Sequence, residues 1–279
     1  MTMTTDTFAG SACATCPVNR HLARLGVSMD TWDYVVALAG NPNTGKSTVF
    51  NALTGLRQHT GNWPGKTVAR AEGGFEYGGK RYKLVDLPGT YSLLAASIDE
   101  EIARDFILFG QPDVTVIVVD ATRLERNLNL ALQVLEITDR LVIALNLMDE
   151  ARRHGLQVDE RRLARDLGVP VVPMAARRGD GIAELLQMVH GVATGEIKPR
   201  PHRLPSTLDP ALDRAVNELV AEIERAFPGL PNARWVALRL LDGDPSIEQA
   251  IADGSLGDLS RSAPPVPVAV PRWGVEVVS

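Results

Sequence analysis

The stretch VVALAGNPNTGKSTVFNALTG, residues 35–55, decides the fold of this chain. An apolar run ends at Gly40, and a Gly-Lys-Ser triplet at residues 45–47 comes just before a segment that predicts a helix. This spacing between a strand and a helix is the pattern of a phosphate-binding loop. Backbone N–H groups at the start of such a helix carry partial positive charge and bind phosphate oxygens. The predicted phosphate site consists of Gly40, Asn41, Pro42, Asn43, Thr44, Gly45, Lys46, Ser47 and Thr48.

Three residues of this loop have specific expected roles. Gly45 lets the backbone approach a phosphate closely, because it has no side chain. Lys46 places a positive charge near the β- and γ-phosphates, and the Ser47 hydroxyl can bind Mg²⁺. The alternative is a glycine-rich turn that contains Gly-Lys-Ser by chance, and the position between a strand and a helix argues against it.

Length and composition limit the possible classes of protein. The 279 residues, 45% of them hydrophobic, suffice for one large domain or for a medium and a small one. A net charge of −5 does not favour a nucleic-acid partner. No apolar run reaches the roughly 18 residues of a membrane-spanning helix, and the N-terminus lacks the pattern of a signal peptide. We therefore expect a cytosolic protein.

The first part of the chain predicts an α/β fold with a mostly parallel, doubly wound sheet, because strand-like runs alternate with helical stretches over residues 33–198. Ser97 and Glu100 predict a capping box at the start of one helix. Residues 57–68 predict a loop, and residues 69–89 predict a hairpin that turns near Gly78 and Gly79. Residues 1–32 predict a flexible extension.

The second part predicts a small all-helical domain over residues 205–262. A basic, proline-broken linker precedes it. Its first helix should begin at Asp209 as N-cap with Pro210 in the first turn, and two shorter helices should follow. The proline-rich residues 263–279 predict an extended tail.

A second nucleotide motif is LVDLPG, residues 84–89. The carboxylate of Asp86 can hold Mg²⁺ through water, and the N–H of Gly89 can sense a γ-phosphate. Asp-x-x-Gly also occurs in ordinary turns, but its position at a strand end after a phosphate loop favours the nucleotide interpretation. The predicted residues are Asp86, Leu87, Pro88 and Gly89.

A third motif, NLMD, predicts recognition of guanine. The carboxylate of Asp149 can accept the N1–H and the exocyclic amine of guanine. Adenine offers neither donor, so ATP would leave a buried carboxylate unpaired. The alternative for Asn-x-x-Asp is a helix N-cap. The predicted base-site residues are Asn146, Leu147, Met148 and Asp149, with Ala175 and Ala176 in a later loop whose backbone N–H could donate to guanine O6.

A mobile first switch is expected between the phosphate-loop helix and the hairpin, where the sequence GNWPGKTV lies. The hydroxyl of Thr67 could complete the Mg²⁺ shell when the γ-phosphate is present. Such segments become ordered with GTP and loosen after hydrolysis. Gly65, Lys66 and Thr67 are therefore part of the predicted site, although Thr67 could instead simply begin a strand.

In combination, GNPNTGKSTVFNALTG, GNWPGKTV, LVDLPGTYSL and NLMDEA resemble the cytoplasmic G domain of the FeoB family of bacterial ferrous iron transporters. The resemblance covers residues 34–262 and implies a Ras-like P-loop fold followed by a helical domain. Leu147 stands where many other GTPases carry lysine, as FeoB-like proteins allow. Ala175 stands where the family usually has serine, so one hydroxyl contact is lost.

The resemblance implies a role for Asn43, whose family counterpart helps to hold K⁺ beside the phosphates. A cation there would offset charge that develops between the β- and γ-phosphates. Thr90 follows Gly89 where Ras-like proteins carry a water-positioning glutamine, so slow intrinsic hydrolysis is expected. Turn chemistry is the alternative for Asn43. The expected catalytic residues are Asn43, Lys46, Thr67 and Gly89, and the expected cofactors are GTP or GDP, Mg²⁺ and K⁺.

The implied function is a GTPase that regulates ferrous iron transport at the inner face of the membrane, with a polytopic iron permease as partner and a helical domain that slows nucleotide release. The first alternative is a soluble regulatory or ribosome-assembly GTPase. The second is a protein that senses GTP but hardly hydrolyses it. The sequence leaves open the oligomeric state and whether this is a separate subunit or part of a longer protein. Cys13 and Cys16, with His21 nearby, could bind a metal, but two thiols do not make a defined site.

Overall fold

The computed structural model describes residues 22–29, 31–55, 58–94, 97–202, 209–230 and 232–262. The chain forms two compact units, Met1–Leu208 and Asp209–Ser279. The predicted tail and the residues Cys13, Cys16 and His21 lie outside the described residues. None of the helices in the described ranges is long and apolar enough to cross a membrane.

The first unit is built on a sheet with the order β2-β3-β4-β1-β5-β6-β7. The strands β4, β1, β5, β6 and β7 run parallel, whereas β2 and β3 pair antiparallel. This confirms the predicted mostly parallel sheet. The strands are β1 (Tyr34–Gly40), β2 (Gln58–Asn62), β3 (Ala69–Tyr77), β4 (Lys80–Asp86), β5 (Val114–Asp120), β6 (Leu141–Asn146) and β7 (Val171–Pro173).

Helices connect the parallel strands and cover the sheet. In the first unit they are α1 (Lys46–Thr54), α2 (Ile98–Gly110), α3 (Leu124–Ile137), α4 (Met148–Arg153), α5 (Glu160–Leu167) and α6 (Ile182–Thr194). The central strands β5 and β6 are buried at every residue. Continuous apolar runs of this kind are typical of parallel strands covered on both faces. The predicted cap of α2 is present, since the Ser97 hydroxyl accepts the Glu100 N–H at 3.2 Å.

The predicted loop over residues 57–68 is partly wrong, because β2 lies within it and pairs with β3. All five residues of β2, with the sequence QHTGN, are exposed. Its place at the sheet edge therefore depends on backbone hydrogen bonds rather than on a buried face. No alternation of apolar residues could reveal such a strand.

The predicted flexible extension also needs correction for residues 22–29. Leu22 and Val27 are buried, with exposed fractions of 2% and 1%. A turn at Gly26 (φ +79°) folds this segment back, and the Val27 N–H donates to the Leu22 carbonyl at 2.8 Å. Two apolar residues joined by one turn are too short a pattern for a prediction from sequence.

The second unit is helical, as predicted. It consists of α7 (Pro210–Ala226), α8 (Ala233–Leu241), α9 (Pro245–Ala252) and α10 (Ser255–Ser262). Asp209 caps α7 by accepting the Ala211 N–H at 2.8 Å. The last helix is missing from the prediction. Leu256 and Leu259 are the buried apolar residues among those helix residues whose side chains the structure describes.

Candidate functional site

The predicted motifs meet because they follow the carboxyl ends of parallel strands. β1 ends at Gly40, β4 at Asp86 and β6 at Asn146, and these carboxyl ends lie on the same side of the sheet. This edge is the usual ligand site of open α/β sheets. Asn43, Thr44 and Leu147 border a common cleft of about 390 Å³.

The start of α1 is open to an anion. Gly45 precedes the helix with φ +84°, no side chain caps the helix, and its first turn carries no acidic residue. A Cβ on Gly45 would collide with the side-chain amide of Asn146, so only glycine fits there. Free N–H groups at a helix start bind phosphate. The residues present therefore fit the predicted phosphate site.

Asn43 adopts the left-handed conformation with φ +66° and is exposed. Asparagine tolerates this conformation better than most residues. The backbone geometry alone gives a reason for asparagine at this position. Its predicted role as a K⁺ ligand stays a prediction.

Asn146 links three segments of the site. It is 2% exposed. Its Nδ2 donates to the Thr44 carbonyl at 2.9 Å, and its Oδ1 accepts the Ala176 N–H at 3.0 Å. The sequence placed Asn146 at the base, and the structure shows that it also ties the phosphate loop to the loop after β7.

The backbone donors predicted for guanine O6 are both occupied in the described structure. The Ala175 N–H donates to the Asp180 carbonyl at 3.1 Å, and the Ala176 N–H donates to Asn146. For either amide to reach a base, it would have to exchange its present acceptor. Sequence cannot show which amides of a loop are already paired, because the partners come from other segments.

Asp149 lies in the first turn of α4 and is partly buried, with its Oδ2 3.8 Å from Arg153 Nη2. Leu147 precedes the helix with φ +62°, an unusual conformation for a bulky residue. Met148 is buried, and its N–H donates to the Met174 carbonyl at 3.0 Å. The positive φ of Leu147 is a strained conformation. Strained residues of this kind persist where the surrounding structure enforces them, and they are frequent at ligand sites.

Lys46 and Asp86 contact each other directly. The Lys46 ammonium donates to the Asp86 carboxylate and to the Leu87 carbonyl, the latter at 2.7 Å. Burial raises the pKa of the Asp86 carboxyl, and the charge and hydrogen bond of Lys46 oppose this rise. A carboxylate at this strand end and the exposed Ser47 hydroxyl at the helix start are oxygen ligands of the kind that Mg²⁺ prefers.

The segment after Asp86 packs against the phosphate loop. A Cβ on Gly89 would lie 3.5 Å from Pro42 Cα. Thr90 is buried, and its hydroxyl donates to the Ser92 carbonyl at 2.6 Å. The residue at the glutamine position is therefore turned into the protein and is not available to orient water.

Two residues of α3 hold this segment, and sequence analysis missed both. Gln133 Oε1 accepts the Leu93 N–H at 2.7 Å. The Arg126 guanidinium lies 4.3 Å from the ring centroid of Tyr91. Polar residues seven apart lie on one face of a helix, so their spacing could have indicated a shared contact.

The predicted first switch contains a turn over residues 63–68. The Trp63 N–H donates to the Val68 carbonyl, and the Lys66 N–H donates to the Trp63 carbonyl, both at 3.0 Å. The Lys66 ammonium pairs with Glu101 at 3.0 Å. Gly65 and Thr67 are exposed, and the binding of Mg²⁺ by Thr67 stays a prediction.

We expect Asn146→Ala to lower the free energy of unfolding of the ligand-free chain by about 2–4 kcal/mol, because it leaves two buried backbone groups unpaired. Urea denaturation followed by circular dichroism measures this. Asn217→Ala is the matched control, since Asn217 also makes two side-chain hydrogen bonds but is exposed. A loss as small as the control's would contradict the linking role.

Comparison with known proteins identifies the family of this chain. The family model for ferrous iron transport protein B matches residues 34–189, and that for the FeoB cytosolic helical domain matches residues 209–262. The Fe(2+) transporter FeoB of Escherichia coli (strain K12) is 40% identical over 213 residues, which are 75% of this chain but 27% of that protein.

Two solved structures are similar. The cytosolic domain of L. pneumophila FeoB is 37% identical with a TM-score of 0.71, and the match covers 81% of this chain and 88% of that one. The cytosolic domain of T. maritima FeoB in GDP form II is 35% identical with a TM-score of 0.71, covering 82% and 94%. The chain therefore belongs to the FeoB family of ferrous iron transport proteins and contains a G domain of the P-loop GTPase class.

Proposed function

We propose that this chain binds GTP with Mg²⁺ and hydrolyses it slowly with the help of K⁺. The observation that carries the proposal is the buried amide of Asn146, which joins the phosphate loop at Thr44 to the loop of Ala176. This link sets the distance between an anion site at the start of α1 and a base site at α4. A nucleotide that binds at both ends requires such a fixed distance.

At the phosphate end, N–H groups at the start of α1 would donate to phosphate oxygens, and Lys46 would leave Asp86 to pair with the β- and γ-phosphates. Asp86 would then be free to hold Mg²⁺ through water. Ser47 and Thr67 would supply the other protein ligands. The bound Mg²⁺ offsets the charge of the phosphates.

At the base end, Asp149 would accept the two donors on the Watson–Crick edge of guanine. Leu147 would pack its side chain against the base. The Ala175 N–H would donate to O6 after exchanging its acceptor, which leaves the hydrogen bond between Asn146 and Ala176 in place. The similar T. maritima structure is a GDP form of that protein, which supports a guanine nucleotide as the ligand here.

Hydrolysis is expected to be slow, because Thr90 is buried and bonded to Ser92. Backbone groups of the first switch and of the segment after Asp86, including the Gly89 N–H, would have to place the attacking water. A K⁺ ion held by Asn43 would offset the charge that develops between the β- and γ-phosphates.

We further propose that the nucleotide state regulates ferrous iron transport at the cytoplasmic face of the membrane. The chain spans about a quarter of the length of its curated relatives, which are named Fe(2+) transporters. The partner would be a polytopic iron permease, reached through the exposed first switch and the segment after Gly89. The second unit would slow nucleotide release.

Base specificity tests the nucleotide part of the proposal. We expect Asp149→Asn to weaken GTP binding by roughly 10³-fold or more and to improve binding of xanthosine triphosphate, whose 2-oxo group accepts a hydrogen bond. Fluorescence titration with labelled nucleotides measures both affinities. Glu150→Gln, at the next residue of α4, should leave them unchanged, and equal losses in the two variants would contradict the base contact.

The K⁺ role requires two variants of Asn43, because its left-handed backbone strains alanine. Asn43→Ala and Asn43→Gly should both reduce GTP turnover in K⁺ to the rate in Na⁺, while GDP affinity changes by less than about threefold. Glycine adopts this conformation without strain. Retained K⁺ stimulation in Asn43→Gly would show that asparagine serves only the turn.

The transport role predicts a nucleotide-dependent membrane partner. The tagged chain, incubated with detergent-solubilised membranes, should retain a polytopic protein with Cys or Glu in its spans, to a different extent with GTP and with GDP. Lys46→Met, which removes the phosphate-binding ammonium, should abolish the difference between nucleotides. Recovery of soluble or ribosomal proteins alone would contradict the transport role.

A further inference from the structure

A short segment before the family domain packs against the sheet. Residues 22–29 and 31–33, here called the N-terminal strap, precede the family-model match, which begins at residue 34. Leu22 is buried against Gly110 at the end of α2. At the other end, the Asp33 N–H donates to the Arg81 carbonyl at 2.9 Å, and Asp33 Oδ2 accepts the Arg81 N–H at 2.8 Å. The strap is therefore fixed at both ends.

The strap covers a network of charged side chains in which, among the residues that the structure describes, one carboxylate pairs with two cations. Glu72 on β3 pairs with Arg70 (Nε to Oε1, 2.9 Å) and with Lys83 (Nζ to Oε2, 2.7 Å), and all three side chains are at most 15% exposed. The first contact is an ion pair without the angle of a hydrogen bond. Within the described part of the chain, Arg70 and Lys83 thus share the carboxylate of Glu72 in a mostly buried position.

Carbonyl groups of the strap supply the further acceptors. Arg70 Nη1 donates to the Leu25 carbonyl at 2.8 Å, and Lys83 Nζ donates to the Ser28 carbonyl at 2.9 Å. Polar groups removed from water need such partners. The strap and the charge network therefore form one structural unit.

The same unit contacts the first switch. The Arg70 guanidinium lies 5.5 Å from the ring centroid of Trp63, within the range of a cation–π contact. A Cβ on Gly26 would lie 3.0 Å from Pro64 Cγ and would collide with Arg70 Nη1. Trp63 is buried and packs edge-on against Phe106, with 5.6 Å between ring centroids.

Trp63 also begins the turn that carries Thr67. Its N–H and carbonyl close the turn through Val68 and Lys66. The backbone of Trp63 is therefore part of the same turn as residues 65–67. A continuous series of contacts runs from the strap through Arg70 and Trp63 to this turn.

We propose that Arg70 is a positioning residue which, together with the N-terminal strap, holds the first switch against the sheet. It acts through Trp63 and does not touch the nucleotide. The strap lowers the rate at which residues 58–68 open and so slows the release of bound nucleotide. The effect on nucleotide release rests on the proposed GTP-binding function, whereas the effect on the switch does not.

Two glycine substitutions separate this contact from general backbone strain. Gly26 and Gly79 have φ of +79° and +72°, so alanine is strained at both. Nothing lies within 4 Å of a Cβ on Gly79, whereas a Cβ on Gly26 meets Arg70 and Pro64. Gly26→Ala should push the strap away from the switch, and Gly79→Ala is the matched control.

Hydrogen–deuterium exchange on the ligand-free full chain measures the opening of the switch. In Gly26→Ala, peptides that cover residues 58–68 should exchange at least about fivefold faster than in the unsubstituted chain. Peptides of β6 and α4 should not change, and Gly79→Ala should leave both regions unchanged. Faster exchange throughout the first unit would indicate a merely structural role and would overturn the proposal, as would an unchanged rate over residues 58–68.

Release of fluorescently labelled GDP tests the consequence for the nucleotide. Arg70→Gln should accelerate release at least about fivefold, and Arg70→Lys, which retains the charge beside Glu72, should restore part of the slow release. Unchanged release in Arg70→Gln would overturn the positioning role. Failure of the unsubstituted chain to bind GDP would instead contradict the proposed function, and the exchange experiment would still decide whether the strap holds the switch.

Discussion

The site depends above all on one buried side chain, the amide of Asn146. It holds the Thr44 carbonyl with its donor and the Ala176 N–H with its acceptor, so segments far apart in sequence meet at a single residue. A buried amide that loses either partner costs free energy, which makes the arrangement nearly all-or-none. The Asn146 side chain therefore fixes the separation of the phosphate loop and the loop after β7. Gly45 follows from the same constraint, because any larger residue would collide with this amide.

The two halves of the site differ in rigidity. The base side is held by buried hydrogen bonds, whereas Thr67 and the whole of β2 are exposed at the sheet edge. Segments with few buried contacts open at low free energy. A nucleotide would thus bind to a preformed loop and base site and order the exposed side through its γ-phosphate. The Lys46–Asp86 contact fits this proposed order of events, since each charge is the partner of the other and would be released when phosphate and metal bind.

Sequence predicts the parts of this fold that are set by local pattern. The apolar runs predicted β1, β5 and β6, and Asp209 with Pro210 predicted the start of α7. It does not predict β2, because the residues of that strand bury no apolar face. It also misses Gln133 and the occupied amides of Ala175 and Ala176, whose roles depend on partners from distant segments. Sequence therefore predicts the elements that local residue preferences determine, but not the contacts between segments that are distant in the chain.

The N-terminal strap shows why the boundary of a family domain need not be a physical boundary. Sequence similarity begins at residue 34, where the parallel sheet begins. In the antiparallel part of that sheet, however, the side chains of Arg70 and Lys83 both pair with the mostly buried carboxylate of Glu72. The strap brings two backbone carbonyls, those of Leu25 and Ser28, which accept hydrogen bonds from these two cations. Arg70, one of these cations, also faces the ring of Trp63. A strap that holds Arg70 by a hydrogen bond therefore also restrains the first switch. Restraint of the first switch thus follows from the hydrogen bonds that Arg70 and Lys83 donate to the carbonyls of the strap.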